Sequence, residues 1–366
     1  MHVTNVRPLP PRPHADYYKK QAKALLKSVR DSEPSALARV RAFHPRISAP
    51  HSPETIAVNL TLSDAQLVIA REHGFESWPK LAAHIEAVRR LDSSVAAFES
   101  AADAIALGDA TTLAELLRAN PHLVRERSSR AHHATLLHYT GANGVEDYRQ
   151  KTPANIVEIA TLLLDAGAEV DAVADIYRES ATLSLAASSV HPQRAGVQIA
   201  LMTALLEGGA AIDGPPGCAN PVLSALRNGR RAAALFLADR GAKLDVESAA
   251  GTGRAGLVQT YLAEGRADRK QLEYGFAWAC EYGHVDVVEL LLAHGVDING
   301  LYLGQSGLHW AAIGAQVDVL QFLLNRGAST ETQNVYGATP LGQAQWSAAR
   351  SDDPAAYDAV VDLLQA

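Results

Sequence analysis

Four histidines and one crowded polar stretch are the residues of this chain best suited to chemistry. His132 and His133 are adjacent, His138 follows closely, and His191 stands apart. An imidazole titrating near neutrality serves as acid, base or metal ligand. Glu146, Tyr148, Arg149, Gln150, Lys151 and Asn155 share one short span, residues 145–155. His191 and Arg194 lie in a second polar span, residues 188–196. If the two spans converge over Tyr139 and Asn143, they form the kind of polar cluster beside apolar surface that holds small molecules. His191, Tyr148 and Glu146 are then the candidate catalytic groups. Metal ligation has little support. His133 and His138 have no carboxylate in fixed register with them, and two cysteines, Cys218 and Cys280, cannot supply a four-thiolate zinc site. The sequence implies no metal and no cofactor.

Known catalytic signatures are absent: there is no Gly-x-Ser-x-Gly elbow, Walker loop or His-Glu-x-x-His pair. Gly251-Thr-Gly253-Arg-Ala-Gly256 fits G-x-G-x-x-G. A dinucleotide loop needs a strand before it, and Val246-Glu-Ser-Ala-Ala reads as helix instead. An enzymatic role therefore stays open and leans negative.

The elements that must position these groups are helices. Of 366 residues, 48% are hydrophobic but only 6% aromatic, so the apolar mass is Ala, Leu and Val. The net charge of −7 argues against a nucleic-acid surface. Two cysteines suit a reducing compartment. No apolar run reaches membrane-spanning length, and the first residues lack a signal-peptide core. A cytoplasmic location is expected.

A Pro-rich leader, Arg7 to Pro13, reads as extended. Helical spacing begins near Ala15, with Tyr18, Ala22, Leu25, Leu26 and Val29 on one face. A second short helix follows Ser32 and is stopped by Pro45, and a Pro- and Ser-rich loop runs to about Pro53. Ser63 with Gln66 predicts a capping box, Gly74 a left-handed stop with Phe75 behind it, and Ser77 the next cap.

From about Ser94 the chain repeats itself. An apolar helix ends in Gly167-Ala, Gly209-Ala, Gly241-Ala, Gly295-Val and Gly327-Ala. Gly209 to Gly241 and Gly295 to Gly327 each span 32 residues. Gly304-Gln-Ser-Gly-Leu-His309-Trp-Ala-Ala and Gly337-Ala-Thr-Pro-Leu341 carry the start of a unit, and Gly283-His-Val-Asp-Val-Val-Glu-Leu-Leu-Leu292 its second helix. These motifs resemble the ankyrin repeat, whose period is about 33. Residues 65–78 resemble the N-terminal extension of bacterial ankyrin-repeat proteins. The resemblance implies an all-α solenoid of about eight helix-turn-helix units. It divides the chain into a helical extension, 1–93, and a repeat domain, 94–366. It also implies recognition of a macromolecular partner, a protein, on the concave face. His138 and His309 take the position whose imidazole bonds turn backbone.

Departures from the repeat carry the remaining information. The Gly167–Gly209 interval is 42 residues, which inserts about ten between the helices of a unit. Insertions are expected at 145–155, at 188–196 and in the last repeat near Ser351 to Tyr357. Side by side, the first two could raise a wall and enclose a small-molecule pocket, the alternative to partner binding. The Gly241–Gly265 interval is only 24, so the loops at Asp245 and Arg266 should be truncated. Trp278 and Trp310 share a repeat column, Tyr139 matches it, and Trp346 lies on the last inner helix. With Tyr282 they are candidate partner-binding residues, against the alternative that they pack between helices.

Overall fold

A computed structural model describes residues 6–10, 12–47, 52–90, 93–177 and 179–365. The chain forms two compact units, residues 1–221 and 222–366. The expected all-α repeat fold is present.

The first unit opens with residues 6–10, 12 and 13, which have no regular secondary structure. Five helices follow: α1 (Ala15–Arg30), α2 (Pro34–Phe43), α3 (Pro53–Asn59), α4 (Leu62–Glu72) and α5 (Trp78–Val88). Residues 48–51, most of the Pro/Ser loop, lie outside the described residues. Tyr18, Leu25, Val29, Leu37, Val40, Ile69 and Leu81 form their core. Thr61, not Ser63, caps α4. Its hydroxyl accepts the Asp64 N–H while the Asp64 carboxylate accepts the Thr61 N–H, so the capping box sits two residues earlier than expected. Gly74 has φ +81, and Phe75 N–H bonds Ala70 O behind it.

Helix pairs then stack: α6 (Ser94–Leu107) with α7 (Ala110–Ala119), α8 (Leu136–Thr140) with α9 (Ile156–Asp165), and α10 (Thr182–Ser188) with α12 (Gln198–Glu207). A short α11 (Val190–Arg194) lies between the last two. A 3₁₀ turn, Asp147–Arg149, interrupts the connection from α8 to α9. The loop before α10 forms a two-residue hairpin, β1 (Val173–Ala174) against β2 (Ser180–Ala181).

The second unit continues the pattern. α13 (Pro221–Leu226) pairs with α14 (Arg231–Asp239), α15 (Val246–Gly251) with α16 (Ala255–Ala263), and α17 (Arg269–Tyr282) with α18 (Val285–Ala293). α19 (Gly307–Ile313) pairs with α20 (Val317–Asn325), and α21 (Pro340–Ala348) with α22 (Asp358–Gln365), across a 3₁₀ turn at Pro354–Tyr357. The G-x-G-x-x-G stretch is the turn from α15 to α16, as the repeat register requires. Where the loop before α17 is short, the helix starts early and runs 14 residues.

The repeating glycine closes the outer helices. Gly167, Gly209, Gly241, Gly295 and Gly327 all have positive φ, and the next residue's N–H returns to the helix, as Ala168 does to Leu163 O. Only glycine takes this left-handed position without steric cost. Between pairs, buried Ala249, Ala250, Ala279, Cys280, Ala311 and Ala312 let inner helices approach closely.

Glu281, at the end of α17, breaks the apolar pattern. Its Oε2 is buried with no hydrogen-bond partner among the described residues. Burial pushes its carboxyl up to about 8. The folded chain therefore keeps a proton that the unfolded chain releases at ordinary carboxylate pH. The stability from this group is full below about pH 4.5 and is lost as pH rises through about 8. Glu281→Gln should stabilise the protein at pH 8 by about 1–3 kcal/mol, with the gain vanishing toward pH 4. Denaturant melts at the two pH values measure this, and an equal effect at both would refute it.

Candidate functional site

The polar span after α8 does not rise as a free wall. Its 3₁₀ turn folds Arg149 back onto α6, where Nε bonds Asp103 Oδ1 at 2.7 Å and Nη2 bonds the Glu99 carbonyl at 3.2 Å. Arg149 Nη1 lies 2.9 Å from Glu99 Oε2. Arg130, from the loop before α8, reaches the same carboxylate oxygen at 2.9 Å and donates to Tyr148 OH at 3.1 Å. Arg130 Nε also pairs with Glu146. Arg130 and Glu146 side chains are 2% and 0% exposed. The result is an alternating chain of charges: Asp103, Arg149, Glu99, Arg130, Glu146.

Aromatic rings insulate this chain. The Arg130 guanidinium lies 5.1 Å from the Phe75 ring centre, and Arg149 lies 5.3 Å from that of Tyr148. Gly74 takes the left-handed turn, φ +81, and its carbonyl accepts the Ala131 N–H. The loop before α8 is thus pinned to the turn between α4 and α5.

Environment sets the protonation of each group. Burial alone would raise the Glu146 carboxyl, but Arg130, His132 and Arg149 hold it well below the usual range. Burial works against both guanidinium charges, yet Glu99 and Glu146 keep Arg130 and Arg149 firmly protonated. His132 is buried, its Nδ1 accepts the Ala134 N–H, and its Nε2 lies 3.5 Å from Glu146. His84 bonds Ser129 Oγ through Nδ1, and burial lowers its pKa to about 4.

Beside the network a cavity of about 280 Å³ opens. Leu9, Pro10 and Pro13 of the leader wall it on one side, with Glu99, Asp103 and the two arginines among the polar groups. Tyr139, Tyr148 and His191 do not line it. Tyr148 and Arg149 turn toward Arg130 and α6. Tyr139 is buried, its OH 3.4 Å from Glu146 Oε1. The segment just before the first span meets the second through small groups: Asn143 Nδ2 donates to Ser188 Oγ, and Ser189 Oγ donates to Ala142 O. Gln150 bonds Val145 O and Asn155 bonds Gly108 O, while Arg194 and Lys151 are exposed. His191 is half-buried on α11. His133 pairs with Asp175 at 2.6 Å.

The histidines at the start of inner helices are structural: His138 Nδ1 bonds Thr135 Oγ1, and His309 bridges Ser306 and Ala338 O. In the second unit, Trp278 is buried. Its Nε1 donates to Glu247, and its ring meets Trp310 edge-on at 5.3 Å. Trp310 is half-buried and donates to Tyr302 O, and Tyr282 OH bonds Leu226 O. Only Trp346 of these stands in solvent, 55% exposed.

Two finger tips went unnoticed in the sequence. The loop before α19 turns at Leu303 and Gly304, both with positive φ, and the loop before α21 carries Val335 and Tyr336. Val335 N–H bonds Gly304 O, and Asn334 Nδ2 bonds Gln305 Oε1, so the fingers are linked. Leu301, Leu303, Val335 (65%) and Tyr336 (84%) are exposed.

Residues 248–334 match the ankyrin-repeat family model in three copies. Parts of the chain are similar to larger proteins. It is 34% identical over 88 residues to the E3 ubiquitin-protein ligase hecd-1 of Caenorhabditis elegans, covering 24% of this chain and 3% of that protein. It is 27% identical over 179 residues to the ankyrin repeat and KH domain-containing protein mask-1 of the same organism, 47% and 7% of the two lengths. Palmitoyltransferase ZDHHC17 of Danio rerio is 37% identical over 71 residues, 19% and 12%. The chain thus spans at most 12% of these relatives. The human ASB11 ankyrin repeat domain aligns with 60% of this chain and 95% of its own, at 25% identity and a TM-score of 0.30.

Removing one partner from the buried network should be costly. Arg130→Met leaves Glu146 without its main counter-charge and should cost about 3–5 kcal/mol. Arg130→Met with Glu146→Gln should cost less than the sum of the two single changes. Because Glu146 is held below its unfolded pKa, its stabilisation is present above about pH 4.5 and is lost as pH falls below that. Glu146→Gln should flatten this acid limb of the stability profile, and an unchanged limb would count against the assignment.

Proposed function

We propose that this chain is a recognition protein whose repeats bind a protein partner, on the concave face formed by inner helices and finger loops. Ankyrin repeats generally mediate protein–protein interaction, and residues 248–334 carry them. The observation that carries the reading is the pair of linked finger tips. They hold Leu301, Leu303, Val335 and Tyr336 in water, and exposed apolar patches of this kind mark interaction surfaces. Leu303 also holds a left-handed backbone, with φ +54. Such a conformation costs about 1–3 kcal/mol, persists only where the surrounding structure enforces it, and clusters at functional sites. Trp346, with the Arg350 guanidinium 4.3 Å from its ring centre, supplies an aromatic anchor of the kind enriched at hot spots.

The net charge of −7 favours a protein over nucleic acid as partner. No described helix is long and apolar enough to cross a membrane. We read the protein as cytoplasmic and of bacterial type. In this reading residues 1–93 serve as a cap on the recognition domain, 94–366, and take no direct part in binding.

Tyr336→Ser, Leu303→Asp and Trp346→Ala should each weaken capture of a partner from native lysate, by about 30-fold at a true hot spot. Melting temperatures should stay within about 2 °C, since all three side chains are exposed. Full capture by a Leu303→Asp/Tyr336→Ser double variant would sink the proposal.

A further inference from the structure

The cavity beside Arg130 and Arg149 has a chemistry of its own, independent of the finger surface. Its arginines are already committed. Arg149 spends its donors on Asp103, Glu99 and Glu146, and Arg130 on Glu99, Glu146 and Tyr148. Arg130 Nη1, which has no acceptor, is sealed from solvent and offers an anion no contact. The carboxylates are only half used. Both arginines take Glu99 through Oε2, and Arg149 takes Asp103 through Oδ1. Glu99 Oε1 and Asp103 Oδ2 accept nothing among the described residues.

Charge balance points the same way. The network holds three carboxylates, Glu99, Asp103 and Glu146, against two guanidiniums. The imidazole that borders the cavity, His84, is kept neutral at pH 7 by burial. The carboxylates thus outnumber the guanidiniums, and two of the three, Glu99 and Asp103, line the cavity. These residues lie four apart on α6 and share a face. Opposite them stand Leu9, Pro10, Pro13 and Val88, which are apolar.

We propose that this cavity binds a small organic amine, its ammonium on Glu99 Oε1 and Asp103 Oδ2 and its carbon portion against the leader. A volume of about 280 Å³ corresponds to roughly nine water molecules, and so to a ligand of about ten non-hydrogen atoms or fewer. An ammonium has three donors, enough for two carboxylates and the Ser100 hydroxyl, which also borders the cavity.

Calorimetric titration and saturation-transfer NMR of the full chain test this with n-butylamine, n-butanol and butyrate, which match in size and differ in charge. Saturable butylamine binding, with butanol and butyrate at least about 10-fold weaker, supports the site. Ala96→Phe fills the cavity without touching the ion network and should abolish butylamine binding. Asp103→Asn should weaken butylamine by about 10-fold while leaving butanol unchanged. If Asp103→Asn loses its fold, Ala96→Phe still decides. Butyrate binding as tight as butylamine, no saturable butylamine signal, or full affinity in Ala96→Phe would each overturn the proposal. Nα-acetyl-lysinamide carries the same ammonium on a protein-like backbone. Weaker binding than butylamine supports a free small molecule, and tighter binding would overturn that in favour of a lysine side chain.

Discussion

Two short antiparallel helices cannot hide their own apolar faces, so each pair must be covered by the next. Most features of both units follow from this. The inner helices are kept small with Ala and Cys so that neighbours can close on one another. Turns return through glycine because the chain must reverse within a few residues. The aromatic column shows the rule at work: Trp278 is buried, its ring met edge-on by Trp310 of the next helix pair.

The two compact units solve their remaining polar problems differently. In the second, polar side chains pair one to one across neighbouring helix pairs: Trp278 donates to Glu247, Tyr282 to Leu226 O, and Tyr357 to Ile313 O. The first instead gathers five charged side chains from α6, the loop before α8 and the connection after it. A buried guanidinium is tolerable only when its counter-charges are fixed around it, and Arg130 has Glu99 and Glu146 as well as the face of Phe75 and the Tyr148 hydroxyl. This is why the polar span after α8, which in isolation reads as a surface loop, is turned inward.

What the sequence made legible was what is local. The Gly-Ala turns, the helix pairs and the roles of His138 and His309 depend on residues a few positions apart. The capping box of α4 was misplaced because two overlapping patterns, Thr61 with Asp64 and Ser63 with Gln66, both fit, and only backbone geometry separates them. Glu146, Tyr148 and Arg149 stand out in the sequence as a polar group, but their partners do not. Arg130 is one arginine among several in a loop, and its partners Phe75, Glu99 and Glu146 lie 16 to 55 residues away. No short-range pattern carries that information. The finger tips were missed for the opposite reason: Leu303 and Tyr336 look like ordinary apolar residues until their exposure is known.

Pinning a loop of the second repeat to the turn before α5 also has a kinetic meaning. The contacts of Arg130 with Phe75 and Glu99 join segments 55 and 31 residues apart, and the loop-closure entropy of such contacts must be met before they can stabilise anything. Interactions missing from the transition state slow unfolding more than they speed folding. The buried network therefore acts as a latch on the N-terminal end of the stack. It sets how long the folded first unit persists once formed, more than how quickly it is reached.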